Sequence, residues 1–178
     1  MTIILSNIKD GPKSNNLILA SYPNNIKKNA EHDFLVTKES KDFGSLNAFG
    51  TASAVFEMVE KDMNYFNEKI KLFKDRSEAW DNWQEAHENP IAVFIFQDVR
   101  KPKAQYIRRD TRKQLHFHSF RSKCDKTMVH TCLFFDVIAH ETGHAILDIV
   151  RPDYYSSTNR QTKGLHESFG DFTVLFTI

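Results

Sequence analysis

The residues of this chain best spaced for chemistry are His140, Glu141 and His144. They lie in the stretch Phe135-Asp136-Val137-Ile138-Ala139-His140-Glu141-Thr142-Gly143-His144-Ala145-Ile146-Leu147-Asp148. Histidines at i and i+4 sit one turn apart on the same helical face, so both imidazoles can reach one metal ion. Glu141, one position on, projects beside such an ion, where a water would lie. His-Glu-x-x-His on a helix therefore reads as two zinc ligands and a general base. The competing reading is a coincidence of composition. Against it stands the apolar setting, because three ionisable side chains in a buried helix are costly without partners.

A catalytic zinc takes three protein ligands and keeps one position open. Two spacings test where the third ligand comes from. One continues along the same stretch with Gly and His, but Leu147 and Val150 occupy those positions. The other takes a Glu from a following helix, supported by an Asp one turn later. Glu167 and Asp171 stand four apart, 23 residues beyond His144. That spacing fits.

Asp136-Val137-x-Ala139-His140-Glu141-x-x-His144-Ala145-x-x-Asp148, followed by Glu167-x-x-x-Asp171, resembles the thermolysin-type gluzincin metallopeptidases. The resemblance implies a zincin-like α+β fold in which His140, His144 and Glu167 bind Zn2+. It implies that Glu141 deprotonates the attacking water and passes the proton to the leaving amine, while Asp171 orients a ligand histidine. Ala104 to Tyr106 would form the edge strand along which an extended peptide lies. Tyr155, or its neighbour Tyr154, would approach the oxyanion, and Asp136 and Asp148 would support helix ends or neighbouring loops. Three features depart from the family. His166 stands where the family usually has Asn, open to competing for metal or merely filling the site. Gly143 inside the metal helix costs about 1 kcal/mol of helix propensity. The sequence ends at Ile178, eleven residues after Glu167, where the family continues into a mostly helical second lobe carrying a His and an Arg that stabilise the transition state. The expectation is a core without that lobe, whose C-terminal face meets the missing lobe or self-associates.

Several elements must position these residues. Residues 1–45 are rich in Asn, Lys and Ser, with apolar patches at Thr2–Leu5, Leu17–Ala20 and Phe34–Val36 that read as short strands or irregular structure. From residue 46 to 74, Phe49, Ala52, Phe56, Val59, Met63, Phe66, Ile70 and Phe73 recur at spacings of three and four, the pattern of a long amphipathic helix covering a core. Trp80 and Trp83 mark a further turn or two of helix. Ile91–Phe96 is an unbroken apolar run, read as a central strand. Ala104–Arg108 and Leu115–Phe120 read as two more strands about an Asp110-Thr111 turn. The metal helix is expected over 131–150, stopped by Pro152. A polar connection over 151–163 then leads to a second helix from Leu165. The domain expectation is an unplaced segment 1–45 and a metallopeptidase core 46–178.

Composition bounds the rest. At 178 residues with 40% apolar content and 15 Phe, the chain suffices for one core, and a net charge of +1 says little about partners. Arg100 to Lys126 carries ten Lys or Arg against Asp110 and Asp125. No RNA-binding motif or zinc finger accompanies this stretch, so a solvated hairpin edge is preferred to a nucleic-acid surface. His116 and His118 share one face of their strand and are read as surface or half-buried side chains before metal ligands. Cys124 and Cys132 neither demand nor exclude a disulfide. No signal peptide or membrane-length run is seen, so the default expectation is a soluble, cytoplasmic protein, with secretion left open. The leading functional expectation is a zinc-dependent endopeptidase-type hydrolase acting on a peptide or protein. The alternative is a non-catalytic zinc-binding interaction domain of the same fold.

Overall fold

The computed structural model describes residues 2–5, 12–20, 34–40, 42–65, 68–69, 78–96 and 103–177. Its architecture is α+β, a small mixed sheet covered by helices. Strands β1 (Thr2–Leu5) and β3 (Phe34–Thr37) pair antiparallel. Strand β2 (Leu17–Leu19) runs parallel to β4 (Ile91–Phe96), so the N-terminal segment contributes directly to the central sheet. β4 runs parallel to β6 (Arg112–Arg121), which pairs antiparallel with β5 (Ala104–Arg109) and β7 (Met128–His130). The order β2-β4-β6-β5 leaves β5 at the edge.

Local sequence explains these elements. β4 is apolar on both sides because it lies between two parallel neighbours, as such strands require. The β5–β6 hairpin turns at Asp110, whose φ of 54° falls in the left-handed region that Asp tolerates. Its register places Arg109 opposite Arg112 at the turn. Arg121 and Lys126 lie at the other end of β6, roughly 30 Å away at about 3.3 Å per residue. The basic stretch is thus divided between two ends of a hairpin.

Helix α1 (Phe43–Tyr65) buries Leu46, Phe49, Ala52, Val55 and Phe56 against the sheet. The continuation of its stripe through Phe66, Ile70 and Phe73 lies outside the described residues. In α2 (Glu78–Ala86), fully buried Trp83 meets Phe56 at a ring separation of 5.8 Å. Helix α3 (Phe135–Val150) is buried on most of its circumference, including Ile138, Ala139, Thr142, Gly143, Ala145, Ile146 and Ile149. It starts four residues later than its apolar pattern suggests. Thr131–Leu133 form a 3-10 turn, and Phe134 is extended (φ −99°, ψ 114°) between the two. Pro152 does end α3, and it also opens a short helix α4 (Pro152–Ser156), since a proline's missing N–H costs nothing at a first helical position. Helix α5 (Arg160–Thr177) begins five residues earlier than expected. Asn159 supplies the reason: its side-chain oxygen accepts the Gln161 N–H at 2.9 Å, the geometry of an N-cap. Cys124 is exposed, Cys132 is buried, and both are free thiols.

Gly143 has its account in this packing. A Cβ there would lie 2.6 Å from Thr173 Oγ1 and 3.0 Å from the Gly170 Cα, both on α5. The gap between the two helices leaves no room for a methyl group. Gly143→Ala is expected to lower unfolding stability by about 1–3 kcal/mol, although Ala gains about 1 kcal/mol in helix propensity. Gly164, with nothing within 4 Å of its Cβ position, should gain stability on the same change; urea unfolding of the two variants reads opposite signs.

The outer face of the sheet carries His116 and His118, both half-buried, with ring centroids 6.1 Å apart. Burial, then His118 and Arg109, push the His116 pKa down to about 4. The unfolded chain therefore takes up this proton near pH 6.5, whereas the folded chain resists it down to about 4. Stability from this group is fully present above the unfolded value and is lost as pH falls toward the folded one. His116→Gln should flatten the stability–pH curve between about 6.5 and 4, measured by urea titrations across that range.

Candidate metal centre

His140 and His144 project from α3, and Glu167 from α5, to a single point. The His140 Nε2 lies 3.4 Å and the His144 Nε2 3.9 Å from Glu167 Oε2, and the three donor atoms all lie within 4.8 Å of one another. A tetrahedral ion with bonds of roughly 2.0–2.1 Å has ligand–ligand edges of about 3.3 Å. The two histidine-to-glutamate separations approach that edge length, and two imidazoles with a carboxylate form a chemically apt donor set. Among the described residues, no other group of three or more His, Cys, Asp or Glu donors converges in this way.

Each histidine is held from behind. The His140 Nδ1–H donates to Asp171 Oδ1 at 3.0 Å, which turns the Nε2 lone pair toward Glu167. The His144 Nδ1 lies 3.3 Å from the His166 Nδ1. For His144 to offer Nε2 to a metal, its Nδ1–H must donate to that His166 nitrogen. His166 thus stands behind His144 rather than within the donor triad. Burial, followed by the His140 charge, pushes the His144 pKa down to about 4, which keeps this imidazole neutral at ordinary pH.

Glu141 is half-buried beside the triad. Its Oε2 accepts the backbone N–H of Tyr106 at 2.8 Å. Burial pushes its carboxyl above the usual range, while the Tyr106 N–H and His140 pull it back. An open cavity of about 640 Å³ runs past it, lined by Lys103, Ala104, Phe120, Thr131, Asp136, Val137, His140, Asp171, Val174 and Leu175. On the other side of the triad, a smaller recess of about 260 Å³ is lined by Tyr106, His144, Tyr154, Tyr155, Ser157, Lys163, His166 and Glu167.

The remaining residues singled out in the sequence take definite places. Asp136 is exposed in the first turn of α3, where a negative charge meets the positive end of the helix dipole. Tyr154 is exposed. Tyr155 is half-buried, and its hydroxyl accepts the Arg108 N–H at 3.0 Å. Ala104 opens edge strand β5 and lines the larger cavity. On that strand, the outward N–H groups of Tyr106 and Arg108 are thus bonded to Glu141 and Tyr155.

Asp148 lies in the last turn of α3. It is fully buried, accepts the Tyr106 hydroxyl at 2.6 Å, and pairs with the Arg108 guanidinium at 2.8 Å. Burial and Asp148 together push the Tyr106 hydroxyl far above its ordinary pKa, so it remains a donor. The roles of Tyr106 and Arg108 escaped the sequence reading because neither belongs to the motif. One signal was available: Asp148 follows His140 and His144 at the same four-residue interval and so continues their helical face.

No protein-family model, curated protein or solved structure matches this chain. No helix among the described residues is long and apolar enough to cross a membrane.

Gly170 offers a direct test of the centre. A Cβ there would lie 2.8 Å from His140 Nδ1 and Cε1, so Gly170→Ala must displace the ring. Metal affinity should fall by about 10–100-fold, the range for disturbing a ligand's support. Competition against a chromophoric chelator measures it, with Gly164→Ala on the same helix expected to match the unmodified protein.

Proposed function

We propose that this chain is a zinc-dependent peptidase core of the thermolysin-type gluzincin kind, with a zincin-like fold. The observation that carries the reading is Glu141: a half-buried carboxylate, oriented by the Tyr106 N–H, beside a His-His-Glu triad and open to the same cavity as His140. A purely structural metal site has no use for that carboxylate.

When bound, Zn2+ supplies Lewis-acid polarisation of a water and of the scissile carbonyl. The chain's own residues do the remainder. His140, His144 and Glu167 hold the ion, and Asp171 and His166 fix the two imidazoles. Glu141, with Oε2 engaged by Tyr106, takes the proton from water through Oε1 as the water oxygen bonds to the carbonyl carbon. It then delivers that proton to the amide nitrogen as the C–N bond breaks. Its upward-shifted pKa suits both halves of this transfer. The larger cavity, walled by Phe120, Val137, Val174 and Leu175, is the space in which an apolar part of the substrate lies.

One observation favours the alternative, a zinc-pinned interaction domain without catalysis. Leu165, Phe172, Leu175 and Phe176 on α5 are 46–74% exposed, a helix face of the kind that docks partners. Glu141→Gln separates the readings. Under the peptidase reading, metal analysis gives one zinc per chain in both proteins, and hydrolysis of a quenched peptide falls by about 10²–10⁴ in the variant. Equal turnover in the two proteins, or no zinc in either after zinc is supplied, defeats it.

A further inference from the structure

We infer that Asp148 is a positioning residue for Glu141, acting through Tyr106. The inference rests on the peptidase reading for its catalytic consequence only. The structural coupling stands on its own geometry.

Asp148 is a carboxylate with no solvent exposure, one turn beyond His144 on α3. Its two partners both come from edge strand β5, the Tyr106 hydroxyl at 2.6 Å and the Arg108 guanidinium at 2.8 Å. They stand two apart and so point to the same side of the strand. One buried anion therefore fixes both the position of β5 along α3 and the side it presents. Arg108 carries the clamp further, donating to Pro152 O at 3.1 Å and Ser156 Oγ at 3.2 Å, with its guanidinium carbon 4.9 Å from the Tyr155 ring centre. In that register, the Tyr106 backbone N–H falls 2.8 Å from Glu141 Oε2. Tyr106 thus binds α3 twice, by its hydroxyl to Asp148 and by its amide to Glu141, seven residues or about two turns apart. Loosening the first contact frees the strand to shift against the second. A carboxylate displaced by about 1 Å from the reacting water can lose on the order of 10²-fold in rate.

Merely holding the fold together is the competing role for Asp148, and a double-mutant comparison separates the two. The amide proton shift of residue 106 is read by NMR with and without Glu141→Gln, in the unmodified protein, in Asp148→Asn and in Tyr106→Phe. In the unmodified protein, Glu141→Gln should move that shift upfield, because a charged acceptor is replaced by a neutral one. In Asp148→Asn and Tyr106→Phe the same change should have a much smaller effect, since the amide no longer meets residue 141. kcat should drop by about 10–100-fold in both variants with KM within about twofold. An undiminished Glu141→Gln effect on the residue 106 amide in these backgrounds overturns the inference, whatever the peptide assay shows. Should Asp148→Asn fail to fold, Tyr106→Phe decides alone, since it removes one hydroxyl and leaves the ion pair with Arg108. A protein that cleaves nothing yet shows the diminished effect refutes the peptidase reading and leaves the positioning intact.

Discussion

Two histidines on one helix and a carboxylate on another can share an ion only where the helices run close, and two glycines allow that approach. Gly143 on α3 faces Gly170 and Thr173 on α5 without room for a methyl group. Four residues from Gly143 in either direction, α3 offers Ala139 and Leu147, both buried. The Thr173 hydroxyl at this contact is satisfied inside its own helix, donating to Phe169 O. The intrinsic helix cost of Gly143, about 1 kcal/mol, is the consequence of a site that spans two helices. Gly170 shows the same logic from the other side, since the space it leaves is filled by the His140 ring.

A close helix pair also removes water from groups that would otherwise keep it. α3 carries His140, Glu141, His144 and Asp148 into the protein, and each would be costly there alone. The partners come from two directions. α5 supplies Asp171 and His166 behind the imidazoles, and β5 supplies the Tyr106 N–H for Glu141 together with the Tyr106 hydroxyl and Arg108 for Asp148. The supports of the two histidines differ in charge. His140 leans on the Asp171 carboxylate, whereas His144 leans on a second imidazole. Burial depresses His144 and His166 alike, so the pair stays neutral and the hydrogen bond between the two Nδ1 atoms has one donor and one acceptor.

How much of this was legible in the sequence depends on range. The helix carrying His140, Glu141 and His144 was readable because its metal spacing and its apolar period coincide, and Glu167 with Asp171 because their interval repeats the same turn. The strand at 91–96 followed from its apolar run and Ala104–Arg108 came within one residue of β5, whereas β6 begins at Arg112, three residues before the expected Leu115–Phe120. The helix starts were misplaced by four and five residues, since Phe134 ends a 3-10 turn without a capping side chain and Asn159 caps from within a stretch that reads as loop. Asp148 was expected to support a helix end or a neighbouring loop but without named partners, because a lone carboxylate has no sequence signature for its partner. Its partners lie about 40 residues earlier on β5, and only the folded register joins them. The same holds for His166, whose neighbour His144 is 22 residues away on another helix.

That register bears on how an extended chain would be met at the edge of the sheet. In an antiparallel strand, a residue's N–H and C=O point to the same side. The carbonyl of Tyr106 therefore faces the same edge as the N–H that Glu141 holds. Two residues along, Tyr155 holds the corresponding N–H of Arg108. A peptide laid against β5 at Tyr106 finds a carbonyl acceptor there, and it reaches the amide donor only by displacing the Glu141 carboxylate. Under the peptidase reading, recognition at this step would run from the peptide's N–H to the protein's carbonyl, which would leave Glu141 where Tyr106 has set it. An edge that offered both groups would bind a strand more tightly and would release Glu141 in doing so. Under the peptidase reading, the weaker pairing is the one compatible with the chemistry.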